Sequence, residues 1–180
     1  MKTPFLIYFT LLSFGSLSAI PTSAANYYPI PATQQVTLLP IRTAQSMSNV
    51  SFEAELLKLT NLERKKVGLA PLKLSSQLTK AAQLHAIDMA SNNYFSHTSR
   101  NGSSMVVRAK AAGYKYSLLG ENIAAGRATP EGTIRQWMNS SGHRANILNG
   151  KFTEIGFGYA NAPNSSYQHY WVQVFGTPQR

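Results

Sequence analysis

The most restrictive stretch is Glu154-Ile155-Gly156-Phe157-Gly158-Tyr159-Ala160, where bulky and small side chains alternate without a break. A period of two marks a strand, and glycine or alanine at every second place means that one face packs while the other is closely approached. A polar turn over 161–166 follows. Residues 168–175 then alternate again, with His169, Trp171, Gln173 and Phe175 set against Tyr170, Val172 and Val174. The two runs predict an antiparallel hairpin. A hairpin alone does not hold itself together, so helices upstream must cover it.

Four helices are expected there. The first starts with Ser51 as cap, carries Glu53 and Glu55 in its first turn, and buries Phe52, Leu56, Leu59 and Leu62; Gly68 and Pro71 end it. The second begins after Ser75 or Ser76 and runs to about Ser91 on a stripe of Leu78, Ala81, Ala82, His85 and Met89. Met105 to Ala112 is a short third, stopped by Gly113. Thr129-Pro130-Glu131 opens a fourth, with Ile134, Trp137 and Met138 as its core face, broken over 139–142 before a further short turn at His143. Helices first and strands last argue for an α+β fold.

The N-terminal segment carries an address rather than a fold. Lys2, the apolar run from Phe5 to Leu17 and the small residues Thr22-Ser23-Ala24-Ala25 predict a secretory signal over 1–25, too short to span a membrane stably. Residues 26–50 hold Pro29, Pro31 and Pro40 with almost no charge, which predicts a flexible arm. The domain proper is expected over 51–180. The chain has a net charge of +10 with only seven acidic residues. Its cations are scattered, and the densest run, Arg64-Lys65-Lys66, closes a helix, where cations offset the dipole. No basic stripe with interleaved aromatics is present, so nucleic acid is not an expected partner. Without cysteine, neither disulfides nor thiolate chemistry is available.

Three segments look built to meet: Phe95-Ser96-His97, Gly120-Glu121-Asn122-Ile123 and Trp137 to Leu148 around His143. Two imidazoles and a carboxylate on separate loops are raw material for a cation site or an acid–base site. Glu121 is flanked by apolar residues in a chain poor in acids, and burying it without a partner would be costly. Its alternative role is to brace a loop by accepting backbone N–H bonds. His85, within a helical stripe, reads as a packed, neutral histidine, and His169 as a strand residue with no chemistry assigned.

These segments, with Leu59 to Arg64, Gly68 to Leu72, Asp88 to Ala90, Phe152 to Gly156 and Tyr170 to Gly176, resemble in chain order the cysteine-free bacterial branch of the CAP superfamily. That superfamily is named for cysteine-rich secretory proteins, antigen 5 and pathogenesis-related 1. The resemblance implies an α-β-α sandwich with a small antiparallel sheet between helical layers. It also implies a central cleft with two His and two Glu, of which His97, Glu121 and His143 match three. The fourth position falls on Ser140. Glu131 and Glu154 are already accounted for by helix start and strand entry.

Two neutral imidazoles suit a divalent transition metal such as Zn, with His97 and His143 as ligands. Glu121 is either a third ligand or a hydrogen-bond partner behind one. Such binding should fade as the histidines protonate below about pH 6.5. The favoured expectation is a secreted domain whose cleft holds a divalent metal or a small polar or lipidic ligand. Two alternatives stand beside it: an extracellular hydrolase of peptide or cell-wall polymer, with Glu121 catalytic, and a cell-envelope adhesion module using basic charge.

Overall fold

A computed structural model describes residues 39–179, with side chains from residue 52 onward. The signal expected over 1–25 and residues 26–38 of the arm lie outside the described residues. Helix α1 runs Leu39–Lys66, so the helix begins twelve residues before Ser51, and 39–50 is helical rather than an extended arm. Pro40 falls in the first turn, where a missing N–H costs nothing, and no glycine interrupts the run up to Gly68. The remaining elements are β1 (Lys73–Leu74), α2 (Ser76–Ser91), α3 (Met105–Ala111), β2 (Tyr116–Ala125), α4 (Pro130–Asn139), α5 (Ser141–Ile147), β3 (Glu154–Ala162) and β4 (Gln168–Pro178). Ser75, Ser104 and Thr129 cap α2, α3 and α4 through their hydroxyls.

The four strands form one sheet in the order β1-β3-β4-β2. β3 and β4 are the expected hairpin, and β2 adds antiparallel to β4 along nine paired residues. The sheet is mixed rather than purely antiparallel, because the two-residue β1 pairs parallel to β3. Such a short strand leaves no periodicity to read. β2 also replaces the loop expected around Glu121.

Helices cover both faces. On one, Leu78, Ala82, Ala86 and Met89 of α2 and Ala109 of α3 pack on Ile123, Tyr170, Val172 and Val174. On the other, Leu56 of α1, Ile134 and Trp137 of α4 and Ile147 of α5 pack on Ile155, Phe157, Trp171 and Phe175. Gly156 and Gly158 lie under α2, and a Cβ at either would overlap the α2 main chain at Leu78–Thr79 or Ala82–Gln83. The alternation in β3 thus encodes a helix resting directly on strand backbone.

The buried face of α1 is Leu56, Thr60 and Arg64, at a spacing of four; Leu62, expected in the core, is 46% exposed. Arg64 does not close the helix in solvent. Its side chain is buried and donates to four carbonyl oxygens: Ala70 at 2.9 Å, Ile147 at 2.8 Å, Asn149 at 2.9 Å and Phe152 at 3.4 Å. No carboxylate pairs with it among the described residues. The carbonyl of Ile147 ends α5, so the guanidinium meets the negative pole of that helix. Burial lowers its pKa without discharging it.

Two stability outcomes follow from these contacts. Gly158→Ala should lower unfolding free energy by at least about 2 kcal/mol, because the obstacle is helix backbone and has no rotamer to yield. Arg64→Leu should cost on the order of 3 kcal/mol by orphaning several carbonyls. Urea unfolding followed by circular dichroism measures both.

Candidate functional site

The site forms along β2, the edge strand next to β4. Successive side chains of a strand point to opposite faces, and Glu121 and Asn122 use this to hold two different segments. Glu121 faces the α2–α3 side. Its side chain is 3% exposed, and its two oxygens are both engaged: Oε1 with His97 Nδ1 at 2.9 Å, Oε2 with Arg108 Nη2 at 2.6 Å. Burial alone would raise its pKa. The hydrogen bond from His97 and the charge and hydrogen bond of Arg108 outweigh that and hold it below the usual carboxylate range. An ionised carboxylate only accepts, so Nδ1 of His97 carries a proton, and in the neutral ring the lone pair is on Nε2. The His97 side chain is 56% exposed.

Arg108, on α3, does more than neutralise Glu121. Its Nη1 donates to the carbonyl oxygens of His97 at 3.1 Å and Ser103 at 2.9 Å and to Ser99 Oγ at 3.1 Å, so it ties down the loop that carries His97. His85 supports the same loop from below. It is fully buried, donates from Nε2 to the Ser96 carbonyl at 2.9 Å and receives Ser99 Oγ on Nδ1 at 3.3 Å. Burial first, then the Arg108 charge, lowers its pKa, and it stays neutral as expected.

Asn122 faces the other side and is fully buried. Its Nδ2 donates to the His143 carbonyl at 3.0 Å and to Gln173 Oε1 at 3.0 Å, while Oδ1 accepts from Asn146 at 2.8 Å. Asn146 also donates to the Glu121 carbonyl at 3.2 Å, and Gln173 Nε2 donates to Thr60 Oγ1 of α1 at 3.0 Å. Gly120 permits this closeness, since a Cβ there would strike the Phe152 ring. A buried amide chain therefore fixes α5, and with it His143, to the strand that carries Glu121.

His143 is the third residue of α5 rather than the opener of a turn. Its Nδ1 is buried and without a hydrogen-bond partner among the described residues. Burial lowers its pKa, and the charge that His97 carries when protonated lowers it further. The structure thus joins His97 and Glu121 directly and ties His143 to the same strand through its backbone. Ser140, the fourth family position, caps α5 by conformation alone. Glu154 is held by the Tyr114 hydroxyl at 2.7 Å and Glu131 sits in the first turn of α4, so neither completes a second carboxylate.

The donor set does not fit a metal centre with a carboxylate ligand. Glu121, considered from sequence as a third ligand, has both oxygens taken, one by a cation. Among the described residues no group of three or more His, Cys, Asp or Glu is placed to hold a metal ion. What fits is the outer role, a carboxylate fixing the tautomer of an imidazole. Arg108, Asn122 and Asn146 were not singled out in the sequence. The need to pair a buried Glu121 was the one available signal for Arg108, one of two cations of the short helix between His97 and Glu121.

Comparison with known proteins supports this architecture. A family model described as cysteine-rich secretory protein family matches residues 57–175. The Bacillus subtilis protein YkwD is 41% identical over 145 residues, which is 81% of this chain and 54% of that protein. An extracellular protein containing a SCP domain from Bacillus anthracis superposes with a TM-score of 0.64 at 33% identity, over 71% of this chain and 41% of that one. An outer surface protein of Borrelia burgdorferi gives 0.60 at 25% identity, over 70% and 89%. The chain spans about half the length of YkwD. With the family model covering most of the described domain, the chain belongs to the cysteine-rich secretory protein, or CAP, family.

Proposed function

We propose that the protein is secreted and that the edge of β2, between His97 and His143, is a binding cleft for a small polar ligand or a divalent cation. The observation that carries this is the half-exposed His97 ring, oriented through Nδ1 by a buried carboxylate that Arg108 keeps ionised. A scaffold that fixes one imidazole nitrogen and leaves the other with a free lone pair is prepared to meet a ligand. The extracellular relative in Bacillus anthracis supports export, and no helix among the described residues is long and apolar enough to cross a membrane. A cation would be held by the imidazoles of His97 and His143, with Glu121 behind His97. With two protein ligands the binding is weak, because the remaining positions belong to water.

Isothermal titration with Zn tests the cation form. Heat of binding should be present in the wild type and absent from the His97→Ala, His143→Ala double variant. Glu121→Gln should weaken binding about 10- to 100-fold through loss of the outer carboxylate. Undiminished binding in the double variant would remove the proposal.

One observation favours a second reading, a hydrolase: an oriented imidazole is also a general base. In that form the base is Nε2 of His97, taking a proton from water as the oxygen attacks a peptide or cell-wall amide carbonyl and passing that proton to the amine that leaves as the C–N bond breaks. Turnover on such polymers lost in His97→Ala and reduced in Glu121→Gln would promote it. Turnover indifferent to both would end it.

The low pKa of Glu121 also has a stability consequence. A carboxyl that titrates lower in the folded than in the unfolded chain stabilises fully above the unfolded value, about pH 4.3, and its contribution is lost as pH falls through the folded value. Unfolding free energy of the wild type should therefore fall between about pH 5 and 3. Glu121→Gln should flatten that limb, as measured by urea melts across the range.

A further inference from the structure

The largest cavity described, about 640 Å³, is not at the histidines. It is a groove between the loop leaving β2 and one side of α4, lined by Arg127, Thr129, Arg135, Gln136, Asn139 and Ser140, with Gly132 also lining it. Two guanidinium groups border it and no acidic residue does. Neither Arg127 nor Arg135 has a carboxylate in ion-pair range among the described residues, although Glu131 is one helical turn from Arg135. Arg127 and Arg135 are both exposed, whereas Arg64 is held by four carbonyls and Arg108 by Glu121 and its own loop.

The groove is also held in place. The Trp171 indole, at the core, donates to the Arg127 carbonyl at 2.6 Å, which anchors the loop by its backbone and leaves the side chain to the groove. The Arg127 side chain runs past Gly132, where a Cβ would lie 3.6 Å from Arg127 Cβ. The rest of the lining is neutral: hydroxyls and amides that donate and accept hydrogen bonds but carry no charge.

We propose that this groove binds a phosphate-bearing polyol, with Arg127 and Arg135 on the phosphate groups and Gln136, Asn139 and Ser140 on the hydroxyls between them. Arginine forks suit phosphate oxygens in pairs, and a neutral polar floor suits a hydroxylated linker better than an apolar chain. An open groove between two cations accepts successive anionic groups of a repeating ligand. The net charge of +10 would draw such an anion toward the surface from a distance without choosing where it binds. A soluble polymer and a lipid headgroup present the same phosphodiester chemistry, and the experiment separates them.

Binding is measured on the full mature chain at low salt, with a glycerol phosphate oligomer by isothermal titration and with phosphatidylglycerol vesicles by co-sedimentation. Arg127→Gln with Arg135→Gln should weaken binding about tenfold or more. Lys73→Gln with Lys151→Gln, which removes two exposed cations elsewhere, should leave it within about twofold. Oligomer binding that depends on the two arginines assigns the ligand to a soluble polymer; vesicle binding alone with the same dependence assigns it to a headgroup. No binding to either probe overturns the proposal. So does a loss in the lysine variant equal to that in the arginine variant, which would reduce the effect to net charge.

Discussion

A carboxylate with 3% of its side chain exposed stays ionised only if something replaces the water it has lost, and for Glu121 that is Arg108 together with His97. The rest of the site depends on these three groups. Arg108 reaches back to the carbonyls of His97 and Ser103, so the cation that stabilises the acid also shapes the loop that brings the imidazole. Remove the acid, and the guanidinium loses its anion while the ring loses its orientation. Charge pairing and the placing of the imidazole are one arrangement here.

The second half of the site is built from neutral groups. Asn122, next along the strand, points through to the opposite face and holds the backbone of His143, and its partner Gln173 carries the chain of hydrogen bonds on to Thr60 of α1. Both histidine segments therefore refer their positions to two adjacent residues of an edge strand. A shift of β2 against β4 by one residue would exchange the two faces and dismantle both halves together.

Much of this scaffold was legible where local rules govern. Capping hydroxyls and glycine stops located α2, α3 and α4, and strict alternation located β3 and β4. β2 was not, because Glu121 and Asn122 are consecutive polar residues that are both buried, which erases the alternation a half-exposed strand would show. The α1 face was misjudged for a related reason: it buries Thr60 and Arg64, and polar residues with long-range partners look like surface. His97 and Glu121 were read as meeting, and they do. Arg108 could not be chosen from the scattered cations, since its role rests on contacts between separate elements. The histidines' relation to a metal was likewise a matter of which atoms remain free, which only side-chain geometry decides.

Arg64 secures α5 through main-chain oxygens, and peptide carbonyls do not titrate in the range a protein meets. Its grip is therefore blind to acid, whereas the Glu121 pairing is not. The two flanks differ in this respect: the side of His97 has one titratable fastening in Glu121, beside the carbonyl contacts of Arg108, whereas the side of His143 is clamped at carbonyls.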